Sequence, residues 1–297
     1  MRAPYILRAP NMTDRYAVIG NPISHSKSPQ IHQMFAAQTG QDISYEKIEA
    51  PLDGFAATIQ RLRDEGYKGF SITVPFKFEA FKIATNLHPR SKSAKAVNTL
   101  WFNGNEIHGD NTDGAGLICD IQNNFRIDIK GKRVLLMGTG GAAWGVAVPL
   151  LLSNPASVTI TYRNEVKAKE MLAELMRTAD FLQLSLHNRQ LVSRSYTHLI
   201  ETPTTINQQF DVAINATSSG LSDEMPPLPK NIFAPNALAY DMMYGRETPF
   251  MKFARDHGAQ VADGLGMLVE QAAEAFYLWR GVRPDTAPVI AALRNNK

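Results

Sequence analysis

The chain has 297 residues, 44% hydrophobic and 20% charged, a balance that excludes a disordered chain and predicts roughly two globular domains. Its formal charge of +3, with no basic tract, argues against a nucleic-acid partner, and no apolar run reaches the ~20 residues of a membrane span. A single cysteine, Cys119, excludes an intrachain disulfide framework, fits the reducing cytoplasm and reads as a packed thiol.

Residues 1–12 hold two Arg, two Pro and no long apolar stretch, so they read as a disordered lead-in rather than a signal peptide, with Met12 an alternative start. Arg15–Gly20 is the first strand, followed by the loop Asn21–Pro29 and a helix over Pro29–Thr39 with Ile31, Phe35 and Ala36 on one face. A strand at Ser44–Ile48 precedes an amphipathic helix, Leu52–Glu65, stopped by Gly66. Gly69–Val74 is a strand that breaks at Pro75, and Phe78–Asn86 is helical. Val97–Phe102 and Glu106–Gly109 flank Asn103-Gly104-Asn105, a strong hairpin signal. This alternation predicts an α/β layer built on a mainly parallel sheet.

Asp113–Phe125 bridges into a second unit with strands at Lys132–Met137, Ser157–Arg163, Phe210–Ala216 and Ala237–Asp241, and helices at Ala142–Leu152 and Glu165–Ala179. Residues 180–209 are polar and show no period. The last two helices, Leu265–Trp279 and Pro284–Leu293, have no strand between them and must bury their apolar faces on an earlier domain. The expected organisation is α/β throughout: 13–112 with 265–297 as one domain, and 113–264 as a Rossmann dinucleotide-binding domain.

The glycine-rich turn supports that second assignment. Gly138-Thr139-Gly140-Gly141-Ala142 stands between a strand and a helix, where a dinucleotide fingerprint belongs. Gly138 permits the sharp turn, Gly140 lets the backbone approach a pyrophosphate, and Ala143 is the small residue where helix meets strand. The helix start offers free N–H groups to the phosphates. After the next strand, Arg163 and Lys167 favour the 2′-phosphate of NADP. Glu165 cuts the other way if it binds a bare ribose, and is neutral if it is a solvated first turn. In the N-terminal half, polar loops follow three strands: Ser24-His25-Ser26-Lys27-Ser28-Pro29, Thr73-Val74-Pro75-Phe76-Lys77 and Gly109-Asp110-Asn111-Thr112-Asp113-Gly114. Each is an ordinary turn sequence alone, but ligands of open α/β sheets sit beyond strand carboxyl ends. Together the loops offer the hydroxyls, amine and carboxylate that a polyhydroxylated acid requires.

The segments NPISHSKSP, TVPFK, AVNTL, GDNTDG, INATSSG, YDMMY and DGLGMLVEQAA occur in the order and spacing of the shikimate dehydrogenase family, which the chain resembles from about Tyr16 to its end. The resemblance implies reversible NADP-dependent reduction of 3-dehydroshikimate to shikimate, with Lys77 and Asp113 as the catalytic pair. It implies Ser26 and Ser28 as carboxylate-binding residues, and Thr73, Asn98 and Gln271 at further substrate positions with Tyr244 in the same pocket. It places Met242 and Gly264 near the nicotinamide, and Asn215–Ser218 in a cofactor loop where Asn215 and Ser218 equally suit strand-end caps. The state implied is a cytoplasmic monomer or homodimer.

Three departures stand out. Arg163 alone remains of the family's usual basic set after that strand, which leaves NAD use open; Ala143 and Trp144 replace a common Ser-Arg; and Ser71 replaces an Asn near the substrate. A quinate/shikimate dehydrogenase using NAD and a catalytically silent shikimate-binding protein are the alternatives. The histidines show no metal-like grouping, His25 and His32 read as loop and surface residues, and no metal is predicted.

Overall fold

Two six-stranded sheets organise the chain, which the computed structural model describes over residues 13–184, 191–202, 209–217 and 223–295. The expected lead-in 1–12 and Ser218 lie outside the described residues. The first sheet is assembled from β1 (Asp14–Gly20), α1 (Ser28–Thr39), β2 (Ile43–Glu49), α2 (Phe55–Asp64), β3 (Tyr67–Ile72), α3 (Lys77–Ile83), β4 (Asn86–Leu87), α4 (Pro89–Ala94), β5 (Thr99–Asn103) and β6 (Glu106–Asp110). Its strand order is β2-β1-β3-β5-β6-β4, with β1 parallel to both β2 and β3, and β4 parallel to β6. The β5–β6 hairpin turns where expected, with Asn103 opposite Glu106 and Gly104 at φ 55°. Helix α2 begins three residues later than its hydrophobic pattern suggests, because Pro51 to Gly54 close a separate turn, Gly54 N–H to Pro51 C=O at 3.0 Å.

The chain crosses through α5 (Asp113–Cys119) and a π-helical turn (Asp120–Asn124) into β7 (Arg133–Met137), α6 (Gly141–Leu152), β8 (Ser157–Tyr162), α7 (Glu165–Phe181), β9 (Leu191–Ser195), α8 (Tyr196–Glu201), β10 (Phe210–Asn215), β11 (Phe233–Asp241), α9 (Pro249–Asp256) and β12 (Gln260–Asp263). This sheet is parallel throughout, in the order β12-β11-β10-β7-β8-β9, which is the doubly wound dinucleotide-binding arrangement. Elements β9 and α8 correct the reading of 180–209 as patternless, and α9 and β12 are additional to it. Thr248 caps α9 by accepting from Met251 N–H, with Pro249 in the first turn.

Helices α10 (Leu265–Arg280) and α11 (Ala287–Asn295) return to the first layer, as their lack of a sheet requires. Val269, Ala272, Phe276, Val289 and Leu293 close one core with Ile31 and Phe35 of α1. Each large buried side chain there contributes about 1.5–3 kcal/mol. Trp279 Nε1 donates to the Leu100 carbonyl at 3.1 Å, and Arg280 pairs with Asp14. Helix α5 is held between the two layers at close range. A Cβ on Gly114 would fall 2.2 Å from Pro149 of α6, and one on Gly116 would fall 2.7 Å from the backbone of Gln271 in α10.

His32 is not a surface residue. It is fully buried, stacks on Tyr45 at 4.2 Å and is ringed by Phe35, Phe276 and Trp279, with neither ring nitrogen hydrogen-bonded. The neutral imidazole packs there as a flat aromatic, and burial pushes its pKa from 6.5 down to about 3. Between those values the unfolded chain binds a proton that the folded chain does not, so stability falls as pH drops below 6.5. Chemical denaturation of wild type and His32→Leu at pH 7 and pH 5 should show the wild type losing ~2 kcal/mol more over that interval. Equal losses would show that the buried imidazole does not govern acid stability.

Candidate active site

Loops after β1, β3 and β6 and the start of β5 face the ends of β7, β8, β10, β11 and β12 across one cleft of about 1190 Å³. On its second-sheet side, β7 ends at Met137 and the chain turns at Gly138, whose φ of 109° is open to glycine and strained for other residues. Gly138 N–H bonds the Thr161 carbonyl of β8 at 2.9 Å, fixing the turn against the sheet. Helix α6 then starts with no side chain capping its first N–H groups, so these donors remain for an anion. A Cβ on Gly140 would meet nothing within 4 Å, so that residue borders open space, and Ala143 is fully buried against the strands. Gly138, Thr139, Gly140, Gly141 and Ala142 all line the cleft. These features fit a dinucleotide pyrophosphate.

Beyond β8, Arg163 and Lys167 line the same cleft, while Asn164 caps α7 by accepting from Lys167 N–H at 3.0 Å. Glu165 contributes nothing to the cleft wall. It pairs with Lys169 at 2.8 Å on the exposed first turn of α7, as the solvated reading expects. Asn215 is likewise a strand-end cap: its amide donates to Asp241 at 3.1 Å and accepts from both the N–H and hydroxyl of Thr217. Met242 and Gly264 meet backbone to backbone at the cleft, with Gly264 N–H on the Met243 carbonyl at 2.9 Å; a Cβ at Gly264 would sit 2.3 Å from the Met242 carbonyl oxygen.

The first-sheet side carries the polar loops. Ser26 Oγ donates to Ser28 Oγ at 3.2 Å at the start of α1, and Thr73 lines the cleft after β3. Tyr244 reaches over from the other layer to the serine loop and is largely buried there, which raises its phenol pKa. Ser71 also borders the cleft, held by a 2.7 Å hydrogen bond from the buried Tyr45 hydroxyl; Tyr45 was not distinguishable in sequence from an ordinary core tyrosine.

Lys77 opens α3, and its backbone carbonyl accepts from Val97 N–H at 2.9 Å, which ties the TVPFK turn to AVNTL. Its Nζ lies 2.5 Å from Asp113 Oδ2, with the two side chains 16% and 7% exposed. Asp113 Oδ1 accepts from Asn98 Nδ2 at 2.8 Å, and Asp113 N–H donates to Asn111 Oδ1 at 3.1 Å. Gln271 of α10 closes the network: its Oε1 accepts from Asn98 at 3.3 Å while its Nε2 donates to the Leu268 carbonyl. Behind the loop, Arg90 grips the buried Asp110 carboxylate through Nε at 3.2 Å and Nη2 at 2.5 Å, and Asp110 accepts from Asn111 N–H. Asp110, Asn111 and Thr112 thus support Asp113, a role their turn-forming sequence does not reveal. Cys119 lies outside the cleft; burial and then the Glu270 carboxylate push its thiol up to about 12. Among the described residues no group of three or more His, Cys, Asp or Glu is placed to hold a metal, and no helix is long and apolar enough to cross a membrane.

A doubly wound sheet that presents a phosphate turn, across a cleft from a buried lysine–carboxylate pair, defines a two-domain dinucleotide-dependent oxidoreductase. Residues 18–100 match the shikimate dehydrogenase substrate binding domain, and residues 264–294 match the shikimate 5′-dehydrogenase C-terminal domain. The chain is 58% identical over 282 residues to a shikimate dehydrogenase (NADP(+)) of Methylobacillus flagellatus, covering 95% of this chain and 99% of the relative. An Ael1 enzyme from Pseudomonas putida superposes with a TM-score of 0.83 at 44% identity, covering 94% of this chain and 98% of that one. A shikimate 5-dehydrogenase from Thermus thermophilus, solved with NADP(H) and shikimate, gives a TM-score of 0.79 at 29% identity over 95% of this chain and 99% of that one. The chain belongs to the shikimate dehydrogenase family.

Gly140 has extended dihedrals, φ −87° and ψ −178°, that any residue adopts, so Gly140→Val tests the turn without straining the fold. The variant should keep its Tm within about 2 °C and bind dinucleotide about tenfold or more weakly, as read by calorimetric titration. Unchanged affinity would remove the turn from the cofactor site.

Proposed function

We propose that the protein is an NADP-dependent shikimate dehydrogenase that interconverts 3-dehydroshikimate and shikimate. The observation that carries this reading is the Lys77–Asp113 pair, 2.5 Å apart in a cleft walled by the serine loop on one side and the glycine turn on the other. The names of the relatives support both the cofactor and the substrate. Arg163 and Lys167 facing the cleft, with Glu165 engaged by Lys169, support NADP over NAD.

In this reading, residues 13–112 with 265–297 form the substrate domain and 113–264 the cofactor domain. Ser26 and Ser28 receive the carboxylate with Tyr244 in the same pocket, and Thr73 and Gln271 receive substrate hydroxyls or carboxylate. Asn98, whose amide is engaged by Thr112, Asp113 and Gln271, positions those groups rather than binding a ring hydroxyl itself. The glycine turn holds the pyrophosphate, Arg163 and Lys167 the 2′-phosphate, and Met242 and Gly264 flank the nicotinamide. When bound, NADP would supply hydride chemistry at the carbon bearing the reacting oxygen. The task of the chain's own residues is the proton on that oxygen. An ammonium has three donors, and Lys77 uses one on Asp113, so it retains protons for the substrate oxygen while Asp113 fixes its direction. Oxidation runs the same path in reverse. Two domains linked by α5 and the β12–α10 connection can close on the substrate and exclude water. Every group invoked comes from one chain, so a monomer suffices and a homodimer would carry two such sites; the single cysteine suits a cytoplasmic enzyme.

Nicotinamide absorbance should report turnover of shikimate with NADP above all other pairings of shikimate or quinate with NADP or NAD. Lys77→Ala should lower kcat by about 10²–10⁴ while shikimate binding is largely kept. Absence of turnover with every pairing would overturn the enzyme reading, and unchanged turnover in Lys77→Ala would remove Lys77 from the mechanism.

A further inference from the structure

Arg163 stands just past β8, where a doubly wound sheet reads the ribose of its dinucleotide. Its guanidinium has a partner within the protein: Nη2 donates to Glu224 Oε2 at 3.0 Å, and both side chains are more than half exposed. Glu224 belongs to the segment between β10 and β11 and lines the cleft with Arg163. Its neighbour Asp223 pairs at 2.8 Å with Arg246, another cleft-lining residue that follows β11. Two adjacent carboxylates therefore engage cations from two different strand ends. Asp223 thus faces Arg246 while Glu224 faces Arg163 at the ribose-reading position.

A carboxylate at this position resembles the 2′-phosphate that separates NADP from NAD: both are anions presenting oxygens to a guanidinium fork. They compete for the same donors. A bare ribose hydroxyl carries no charge and does not compete in this way. We propose that Glu224 is a specificity-determining residue that competes with the 2′-phosphate for Arg163 and so narrows the preference for NADP over NAD. The proposal rests on Arg163 being the 2′-phosphate contact. The pair is exposed and exchanges readily, so Glu224 tempers NADP binding without blocking it.

Direct binding of NADP+ and NAD+, by calorimetry or tryptophan fluorescence, to wild type, Glu224→Gln, Arg163→Gln and the double variant separates these layers. Glu224→Gln should tighten NADP+ about three- to fivefold, leave NAD+ within about twofold, and lose its gain when Arg163 is also Gln. An unchanged or weakened NADP+ affinity, or equal tightening of both dinucleotides, overturns the proposal. Arg163→Gln tests the layer beneath it: a loss confined to NADP+ supports Arg163 as the phosphate contact, and equal losses for both dinucleotides overturn that contact.

Discussion

The amide of Asn98 is the constraint on which the reacting centre depends. It is buried at the head of β5, and each of its atoms is used more than once. Oδ1 accepts from Thr112 N–H at 2.9 Å and from the Thr99 hydroxyl at 2.9 Å. Nδ2 donates to Thr112 Oγ1, Asp113 Oδ1 and Gln271 Oε1. One side chain thereby joins the first sheet, the turn that opens α5 and the helix that returns from the second layer. A buried amide leaves little slack, because any displaced partner becomes an unsatisfied polar group costing about 1–3 kcal/mol. The position of Asp113, and through it of Lys77, follows from that economy.

Around this point the fold sets two ligand walls face to face. The first sheet supplies hydroxyls and an amine from loops after β1 and β3, and the second supplies backbone donors from the turn after β7. Gly114 and Gly116 bring α5 against α6 and α10, so the junction carrying Asp113 is packed from both layers. Lys95 at the end of α4 reaches Glu174 of α7 at 3.0 Å and ties the layers again.

Much of this was legible in the residues, for reasons that differ by element. The β7–Gly138–α6 unit combines a buried run, glycines and an apolar helix, and the Asn103-Gly104-Asn105 turn has one compatible geometry, so both stand where expected. The short elements β9 and α8 were not legible: β9 is mostly half-buried and shows no clean alternation, and α8 buries only Tyr196 and Leu199 over its six residues, one turn of a helical period. Thr248-Pro249 signals the start of α9, and Phe250, Met251 and Ala254 recur at helical spacing on its buried face, so this helix is legible in the residues even though the expected elements omit it. The burial of His32 is not local: its cover, Phe276 and Trp279, arrives from the opposite end of the chain. Arg163 was legible as a cation at the right strand end, whereas its pairing with Glu224 depends on tertiary placement that no local pattern encodes.

In the proposed mechanism the Asn98 network poises Lys77 and Asp113 independently of the glycine turn. Asn98→Ala, measured for kcat with shikimate alongside calorimetric NADP+ affinity, addresses this most directly. The predicted result is a fall in kcat of about 10² or more with NADP+ affinity within about twofold of wild type, since the glycine turn lies in the other layer. A folded variant that keeps wild-type kcat, or that loses NADP+ binding in step with turnover, would contradict it.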